Sequence, residues 1–387
     1  MSSSIKIRKA LAFVLFSASS ALGASSHAAP PLWLKTFDVP GAGTTPDTGQ
    51  GSLGLGINDF GVVAGLMRDE NSVRHGFLRY PNGKIVVFDH PNAGTAPGQG
   101  TLVGGLNALG AVAGWVRDST GLDTPYVFEP DGSFHTISIP NFQGGDGSAI
   151  NVWGTMAGNY LLTTDNNNPN VFLHFHGFIR SPSGVITQFD PPGSQETDVP
   201  SPSSINDFGA VTGDYWVCRA DLSSCSVHGF IRTADGKYTS FDVSEASPDA
   251  YAGGGTYPQG INNLGEVTGY YGDANAIYHG FVRRTDGRIN TFDVATKCTN
   301  TATPPEDCAF EGTFPSSVNL LGQVVGTYYG EDGNSHGFLR DADGSMKKID
   351  VPGAGTSSDI QSINDSGQMT GYSTDSNGVN HGLLAKP

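Results

Sequence analysis

A nine-residue pattern that recurs along the chain constrains its fold more than any other feature. It is INDFGVVAG from Ile57 and INDSGQMTG from Ile363, and five more copies lie between them. Glycine follows the pattern's Asn at the third and seventh positions in every copy. The seven Asn residues are Asn58, Asn107, Asn151, Asn206, Asn262, Asn319 and Asn364. Steps of 44 to 57 residues between copies indicate an array of repeated supersecondary units.

Each repeat contains four strand-like segments separated by Gly, Pro and Asx turns, which predicts an all-β fold. Strand a ends at the Asn, strand b carries VxG, strand c carries HGFxR and strand d carries FD. A two-residue turn at Asn82-Gly83 would place Phe77 opposite Phe88 and Gly76 opposite Asp89. The same register predicts that two large apolar side chains lie opposite each other in other repeats: Tyr126–Ile137, Phe178–Phe189, Phe230–Phe241, Phe281–Phe292 and Phe338–Ile349.

The two ends of the chain distinguish a closed ring from an open solenoid, which would need capping repeats at both ends. The last repeat lacks strand d, whereas LKTFDVPGAGT from Leu34 closely matches MKKIDVPGAGT from Met346. A closing strand at 34–40 would therefore complete the last unit, with Phe37 opposite Leu383. Small residues two positions before each Asn suit strands that converge on a narrow axis. We predict one seven-bladed β-propeller over residues 29–387, with four-stranded blades and no long exposed edge.

The first 28 residues have the pattern of a secretory signal peptide rather than of a disordered tail. Lys6, Arg8 and Lys9 precede a short apolar segment, and Ser26-His27-Ala28 is a small-residue cleavage site. No later segment approaches the length of an apolar membrane span. We therefore predict export, to the periplasm or beyond the cell.

The acidic charge of the chain argues against some partners. The formal charge is −16, and removal of a signal that carries three positive charges and no negative one leaves −19. This disfavours nucleic acid, whose binding depends on cation–phosphate contacts, and it disfavours anionic membranes.

Four cysteines form two local pairs. In an oxidising compartment we predict the disulfides Cys218–Cys225 and Cys298–Cys308. A zinc site is disfavoured because neither pair has the C-x₂₋₄-C spacing. No P-loop, GxSxG or HExxH motif is present, so no cofactor or metal is predicted.

The long b–c and d–a connections of repeats three to six should lie on one face, and function often resides in such loops. The candidate ligand-binding residues in or beside them are Trp216, Tyr251, Tyr257, Phe310 and Phe314. Exposed rings there could stack on sugars or contact a protein; the alternative is that they pack the loops onto the scaffold. Asp249, Glu306 and Asp307 could supply the carboxylate pair of a glycosidase.

The histidine of strand c recurs in six repeats, as His75, His176, His228, His279, His336 and His381. Six copies around a ring cannot share one catalytic or metal site, so we interpret them as structural. A hydrogen bond from each His to the Asp of strand d, or to backbone, would satisfy the ring. The second repeat, with Thr124, Phe128 and Ser138 in place of His, Arg and Asp, should lack this polar set.

The combined pattern INDxGxVxG, HGFxR, DG and FDVPGAGT resembles the bacterial extracellular HAF-repeat family. The resemblance covers all seven units, although glycine occupies the middle position of the HGF triplet here. It implies export and a repeat fold, and it implies no catalytic residues.

These observations favour a secreted binding module for a glycan or protein, acting through the face with the long loops. The alternative is an extracellular polysaccharide hydrolase or lyase on the same face. A surface or matrix role is a third possibility.

Overall fold

A computed structural model describes residues 32–139, 142–162, 174–191, 199–219, 223–294, 312–330, 332–352, 355 and 357–387. They belong to the unit Leu32–Pro387. In these ranges, regular structure is β-strand apart from a 3-10 helix at Ala250–Ala252, so the all-β prediction is confirmed. The predicted signal peptide, Cys298, Cys308, Glu306, Asp307 and Phe310 lie outside the described residues.

The strands follow one another in the order of the sequence repeats. Their bounds are β1 Trp33–Phe37, β2 Gly51–Ile57, β3 Val63–Arg68, β4 Arg74–Arg79, β5 Ile85–Phe88, β6 Gly100–Leu106, β7 Val112–Arg117, β8 Asp123–Phe128, β9 Phe134–Thr136, β10 Phe142–Ile150, β11 Met156–Leu162, β12 His174–Arg180, β13 Ile186–Phe189, β14 Val199–Ile205, β15 Val211–Cys218, β16 Cys225–Arg232, β17 Tyr238–Phe241, β18 Gly255–Ile261, β19 Val267–Gly272, β20 Tyr278–Arg283, β21 Ile289–Phe292, β22 Thr313–Val318, β23 Val324–Tyr329, β24 Ser335–Arg340, β25 Met346–Ile349, β26 Ser357–Ile363, β27 Met369–Thr374 and β28 Asn380–Lys386.

Antiparallel pairing groups these strands into four-stranded meanders, numbered here in chain order. Across the described ranges, the groups are β2–β5, β6–β9, β10–β13, β14–β17, β18–β21, β22–β25, and β26–β28 with β1. Single parallel bridges join the edges of some neighbouring meanders, as between Arg74 and Gly100. Strand β1 pairs antiparallel with β28 from Trp33 opposite Lys386 to Phe37 opposite Gly382.

The repeated Asn residues link the meanders through side-chain hydrogen bonds. Each Asn donates from Nδ2 to the backbone carbonyl of the next Asn, as Asn58 does to Asn107 at 3.1 Å. The bonds continue in chain order through the remaining repeats. Asn364 then donates to the carbonyl of Asn58 at 2.9 Å. The same Asn side chains accept bonds from their own a–b turns, so each fixes its turn and contacts its neighbour.

The apolar core lies between adjacent meanders. One buried cluster lies between the two meanders of each successive pair, from meanders 1 and 2 to meanders 6 and 7. A further cluster combines Phe37 and Leu384 of meander 7 with Ile57, Val63 and Phe77 of meander 1. The rings of Phe37 and Phe77 meet edge to face with centroids 5.9 Å apart. The N-terminal strand therefore packs against both the last and the first repeat.

The predicted register of the c–d hairpins was wrong by one residue. Gly76 lies opposite Phe88, and Phe77 lies opposite Val87. The turn has three residues, because Gly83 N–H donates to Tyr80 O and Tyr80 N–H donates to Lys84 O. Gly83 takes the left-handed conformation at φ 86°, as in a type I turn followed by a bulge. The other hairpins shift in the same way, and Phe37 faces Gly382 instead of Leu383.

This register explains the glycine of the HGF triplet. The ring of Phe88 lies across Gly76, and a Cβ on Gly76 would collide with that ring. Phe37 covers Gly382 in the same manner. The large side chain of strand d therefore packs on a glycine, and the preceding His comes opposite the Asp of strand d.

The disulfide Cys218–Cys225 is present and joins the ends of β15 and β16. It confirms that part of the cysteine prediction. Because the two cysteines are only seven positions apart in the sequence, we expect the Cys218→Ala/Cys225→Ala variant to lose about 2 kcal/mol of unfolding free energy. Urea denaturation of both proteins measures this loss. A loss above about 5 kcal/mol would contradict a purely local role.

Candidate functional site

The strand-b position just after the repeated glycine varies among the meanders, although its surroundings repeat, and only tyrosine occurs there twice. Its seven occupants are Leu66, Trp115, Asn159, Asp214, Tyr270, Thr327 and Tyr372. The strand-a residues paired with them also vary, for example Leu53 opposite Leu66, Asp146 opposite Asn159 and Tyr257 opposite Tyr270. A position that varies within a repeated framework is free to carry function.

At meanders 5 to 7 these residues form a cleft of about 420 Å³, which we call the aromatic cleft. It lies at the strand ends that lead into the b–c and d–a connections. It is lined by Gln259, Tyr270, Tyr278, Phe314, Pro315, Ser316, Thr327, Tyr329, Asp359 and Gln361. Its volume falls within the range of small-molecule sites, about 300–1,000 Å³.

Phe314 is the centre of the ring packing in this cleft. Its centroid lies 5.2 Å from Tyr270, 5.1 Å from Tyr278 and 5.9 Å from Tyr329. Tyr257 stacks on Tyr270 at 5.0 Å, and its hydroxyl donates to Gly254 O at 2.8 Å. All five rings are only partly buried. The contacts hold the rings in place while their outer faces and edges remain accessible.

Polar groups line the same cleft as these rings. Asp359 is 8% exposed and accepts a hydrogen bond from Ser335 Oγ at 3.0 Å. Burial raises the pKa of its carboxyl, although hydrogen bonds from Ser335, Thr327 and Ser357 oppose the shift. The partly buried amides of Gln259 and Gln361 add donors and acceptors.

Two further carboxyls lie on strands of meanders 3 and 4. Burial raises the pKa of Asp214, which is 8% exposed, to about 7. Its charge acts on Tyr257 and Tyr270, so it lies near the aromatic cleft. Burial, followed by the nearby Asp123, raises the pKa of Asp146 to about 6. Both carboxyls can therefore hold a proton close to neutral pH.

The structure divides the predicted aromatic residues between two places. Phe314 lines the cleft and Tyr257 stacks against it. Trp216 instead packs beside the disulfide with Ala250. Tyr251 is 60% exposed, and its hydroxyl lies 3.2 Å from Cys225 Sγ.

The six predicted histidines lie in six different meanders. Each places Nδ1 between 2.6 and 3.0 Å from the Asp of its strand d, with Asp38 of β1 serving His381. Asp249 accepts from Tyr251 N–H at the start of the 3-10 helix. Over the described ranges, no three His, Cys, Asp or Glu side chains are grouped so that they could hold a metal ion.

Sequence reasoning missed Tyr270, Tyr278, Tyr329 and Asp359 as cleft residues. It searched the long connections, whereas these side chains lie on strands. The available signal was the contrast between constant and variable positions in the repeats. Tyr270 follows a glycine that recurs in all seven copies, whereas six different residue types occupy its own position across the seven repeats.

Comparisons with known proteins show the fold type. No family model matches the chain, and no curated protein matches it. A streptogramin B lyase is 14% identical, with a TM-score of 0.51 over 92% of this chain and 98% of that one. Catalytically inactive virginiamycin B lyase from Staphylococcus aureus with quinupristin is 14% identical, with a TM-score of 0.50 over 92% and 100%.

Puromycin hydrolase is 11% identical, with a TM-score of 0.53 over 86% of this chain and 51% of that one. These neighbours are β-propeller proteins. The similarity, at such low identity, concerns the fold alone. No helix among the described residues is long and apolar enough to cross a membrane.

Proposed function

We propose that the chain is a secreted seven-bladed β-propeller, each meander being one blade and β1 closing the last. The Asn364–Asn58 hydrogen bond, the β1–β28 pairing and the cluster around Phe37 support closure. The disulfide supports an oxidising compartment. The His–Asp pairs then serve the architecture by fixing strand d of each blade to strand c.

The function that we propose for this propeller is carbohydrate binding in the aromatic cleft. The main support is the partly exposed ring cluster around Phe314, which lines the same cleft as the Asp359 carboxyl and two glutamine amides. Sugar rings present apolar C–H faces and many hydroxyls. Aromatic faces suit the former, whereas carboxylate and amide groups suit the latter.

A glycan fits the cleft better than a protein partner does. The site is a concave volume of about 420 Å³, whereas specific protein interfaces are broad surfaces of about 800 Å² per partner. The cleft also extends over three meanders, so an extended oligosaccharide could contact several of the rings.

A glycan array probed with the purified chain would test this function. We expect a saccharide signal with wild-type protein, and we expect Phe314→Ala to weaken it roughly 30-fold, since a central aromatic contact is worth about 2 kcal/mol. Tyr251→Ala is the matched control, because that ring lies beside the disulfide instead of in the cleft, and it should bind as wild type does. Circular dichroism must show both variants folded. The absence of any saccharide signal from folded wild type, or equal loss in both variants, would contradict the proposal.

Asp359 favours one second candidate, a polysaccharide hydrolase or lyase. It is a carboxyl with a raised pKa that lines the cleft, which is the property of a general acid. If the protein cleaves the saccharide that it binds, Asp359→Asn should abolish release of reducing ends while it retains binding. A pure binding module would release no product in wild type.

A further inference from the structure

A ring of exposed apolar side chains surrounds the Asn circuit at the a–b turns. The residue two positions after each Asn is large, apolar and 59–74% exposed in six meanders. These residues, which we call the apolar crown, are Phe60, Leu109, Trp153, Phe208, Leu264 and Leu321. Ser366 occupies the seventh position.

The Asn circuit fixes the crown in one arrangement. The backbone N–H of Phe60 donates to Asn58 Oδ1 at 3.1 Å, and Trp153 and Phe208 bond their own Asn in the same way. Since each Asn also bonds the next one, the crown residues occupy equivalent places around the circuit. Ser366 makes the same contact with Asn364, so the turn accepts a small polar residue.

We propose that the apolar crown is the interface through which two copies of this chain associate. Six such side chains expose roughly 800 Å², given about 150–250 Å² for a whole aromatic side chain and less for leucine. That is the area which each partner contributes to a stable interface of standard size. Exposed apolar patches above a few hundred Å² mark interaction sites.

The charges at this end of the molecule disfavour an anionic membrane as the partner of the crown. Asp59, Asp207 and Asp365 line a pore of about 190 Å³ inside the crown. Burial, followed by repulsion from Asp59 and Asp207, raises the pKa of Asp365. Anionic lipid would be repelled by these groups. In a dimer, the two pores can keep their carboxylates hydrated while the surrounding crowns exclude water.

The turns themselves make the crown self-complementary. They repeat one backbone geometry, with Gly following each crown residue, so their tips lie at a common level and offer a broad face. A two-fold axis along such a face brings the same patch together from both copies, as an isologous interface requires.

Sedimentation velocity over a concentration series is the test. We expect wild type to form dimers at micromolar concentration, more strongly at 0.5 M than at 0.05 M NaCl, because salt screens the repulsion between two acidic copies. The triple variant Phe60→Ser/Leu109→Ser/Phe208→Ser should weaken association at least 100-fold. It copies the serine found at position 366 and leaves intact the bond from Trp153 Nε1–H to Asp207 O.

Val185→Ser is the control, since Val185 is 63% exposed but lies on a c–d turn outside the crown; it should dimerise as wild type does. A wild type that stays monomeric to about 100 µM would overturn the proposal. So would a folded triple variant that still dimerises. Flotation with phosphatidylcholine vesicles is a second measurement. If monomeric wild type binds these vesicles through the crown, the crown is a lipid-binding surface and the dimer proposal is overturned.

Discussion

Asn206→Ala is expected to lower the free energy of unfolding by about 3 kcal/mol or more. Its Nδ2 donates to Asn262 O at 3.0 Å, and its Oδ1 accepts from the backbone N–H groups of Phe208 and Ala210. Asn206 is buried, so alanine would leave its carbonyl and amide partners unsatisfied. Each buried polar group without a partner costs about 1–3 kcal/mol. Urea denaturation measures the loss, and Asn82→Ala is the control because exposed Asn82 holds only its own turn.

The same substitution at Asn364 tests ring closure. In a closed ring Asn364 has at least as many partners as Asn206, because it donates to Asn58 O and to Gln368 Oε1 and accepts from its own turn. We therefore expect Asn364→Ala to lower the free energy of unfolding at least as much as Asn206→Ala does. In an open array the last Asn would have no following repeat to bond. A loss at Asn364 no larger than that of Asn82→Ala would exclude the closed ring.

Asp214→Asn is expected to stabilise the protein at pH 8 and to flatten its dependence of stability on pH. The folded protein raises the pKa of Asp214 from 3.8 to about 7, so between these values it binds a proton that the unfolded chain has released. The contribution of Asp214 to stability is therefore present at acidic pH, and it is lost as the pH rises through about 7. A pKa shift of this size corresponds to a free energy of about 4 kcal/mol. The neutral, similarly shaped asparagine would recover this free energy at pH 8.

The difference between variant and wild-type stability, measured by urea denaturation from pH 5 to 8, isolates the contribution of Asp214. Other groups act in the same direction: Asp146 has a raised pKa, and so do His75, His279 and His336, each next to acidic partners. Wild type should therefore lose stability as pH rises, and the variant should retain part of the slope. The control variant is Asp131→Asn, because Asp131 is exposed. Equal slopes for Asp214→Asn and wild type would show that Asp214 is charged throughout the range.

Several features followed from the sequence because they depend on local chemistry that repeats. The Asn turns, the order of four strands and the partnership of His and Asp are set by residues within one repeat. The match between LKTFDVPGAGT and MKKIDVPGAGT likewise indicated the partner of β1, because similar segments occupy equivalent positions in a repeat fold. The Cys218–Cys225 bridge followed from proximity along the chain.

The hairpin register could not be settled in this way. Asn82-Gly83 is compatible with a two-residue turn, but the structure uses a three-residue turn with Gly83 in the left-handed conformation. Packing decides between them, since only this register places the Phe88 ring over the empty space at Gly76. Turn composition alone does not report that contact.

The sequence by itself determined the all-β class, the repeat and its internal polar partners, because short-range backbone preferences and residue spacing specify them. Only the tertiary structure decided which side chains share a surface. The rings of Tyr270 and Phe314 come from different meanders yet lie 5.2 Å apart, and Asn364 bonds Asn58 across 306 residues. Such contacts depend on how separate units pack against one another, and the spacing of residues along the chain does not encode those distances.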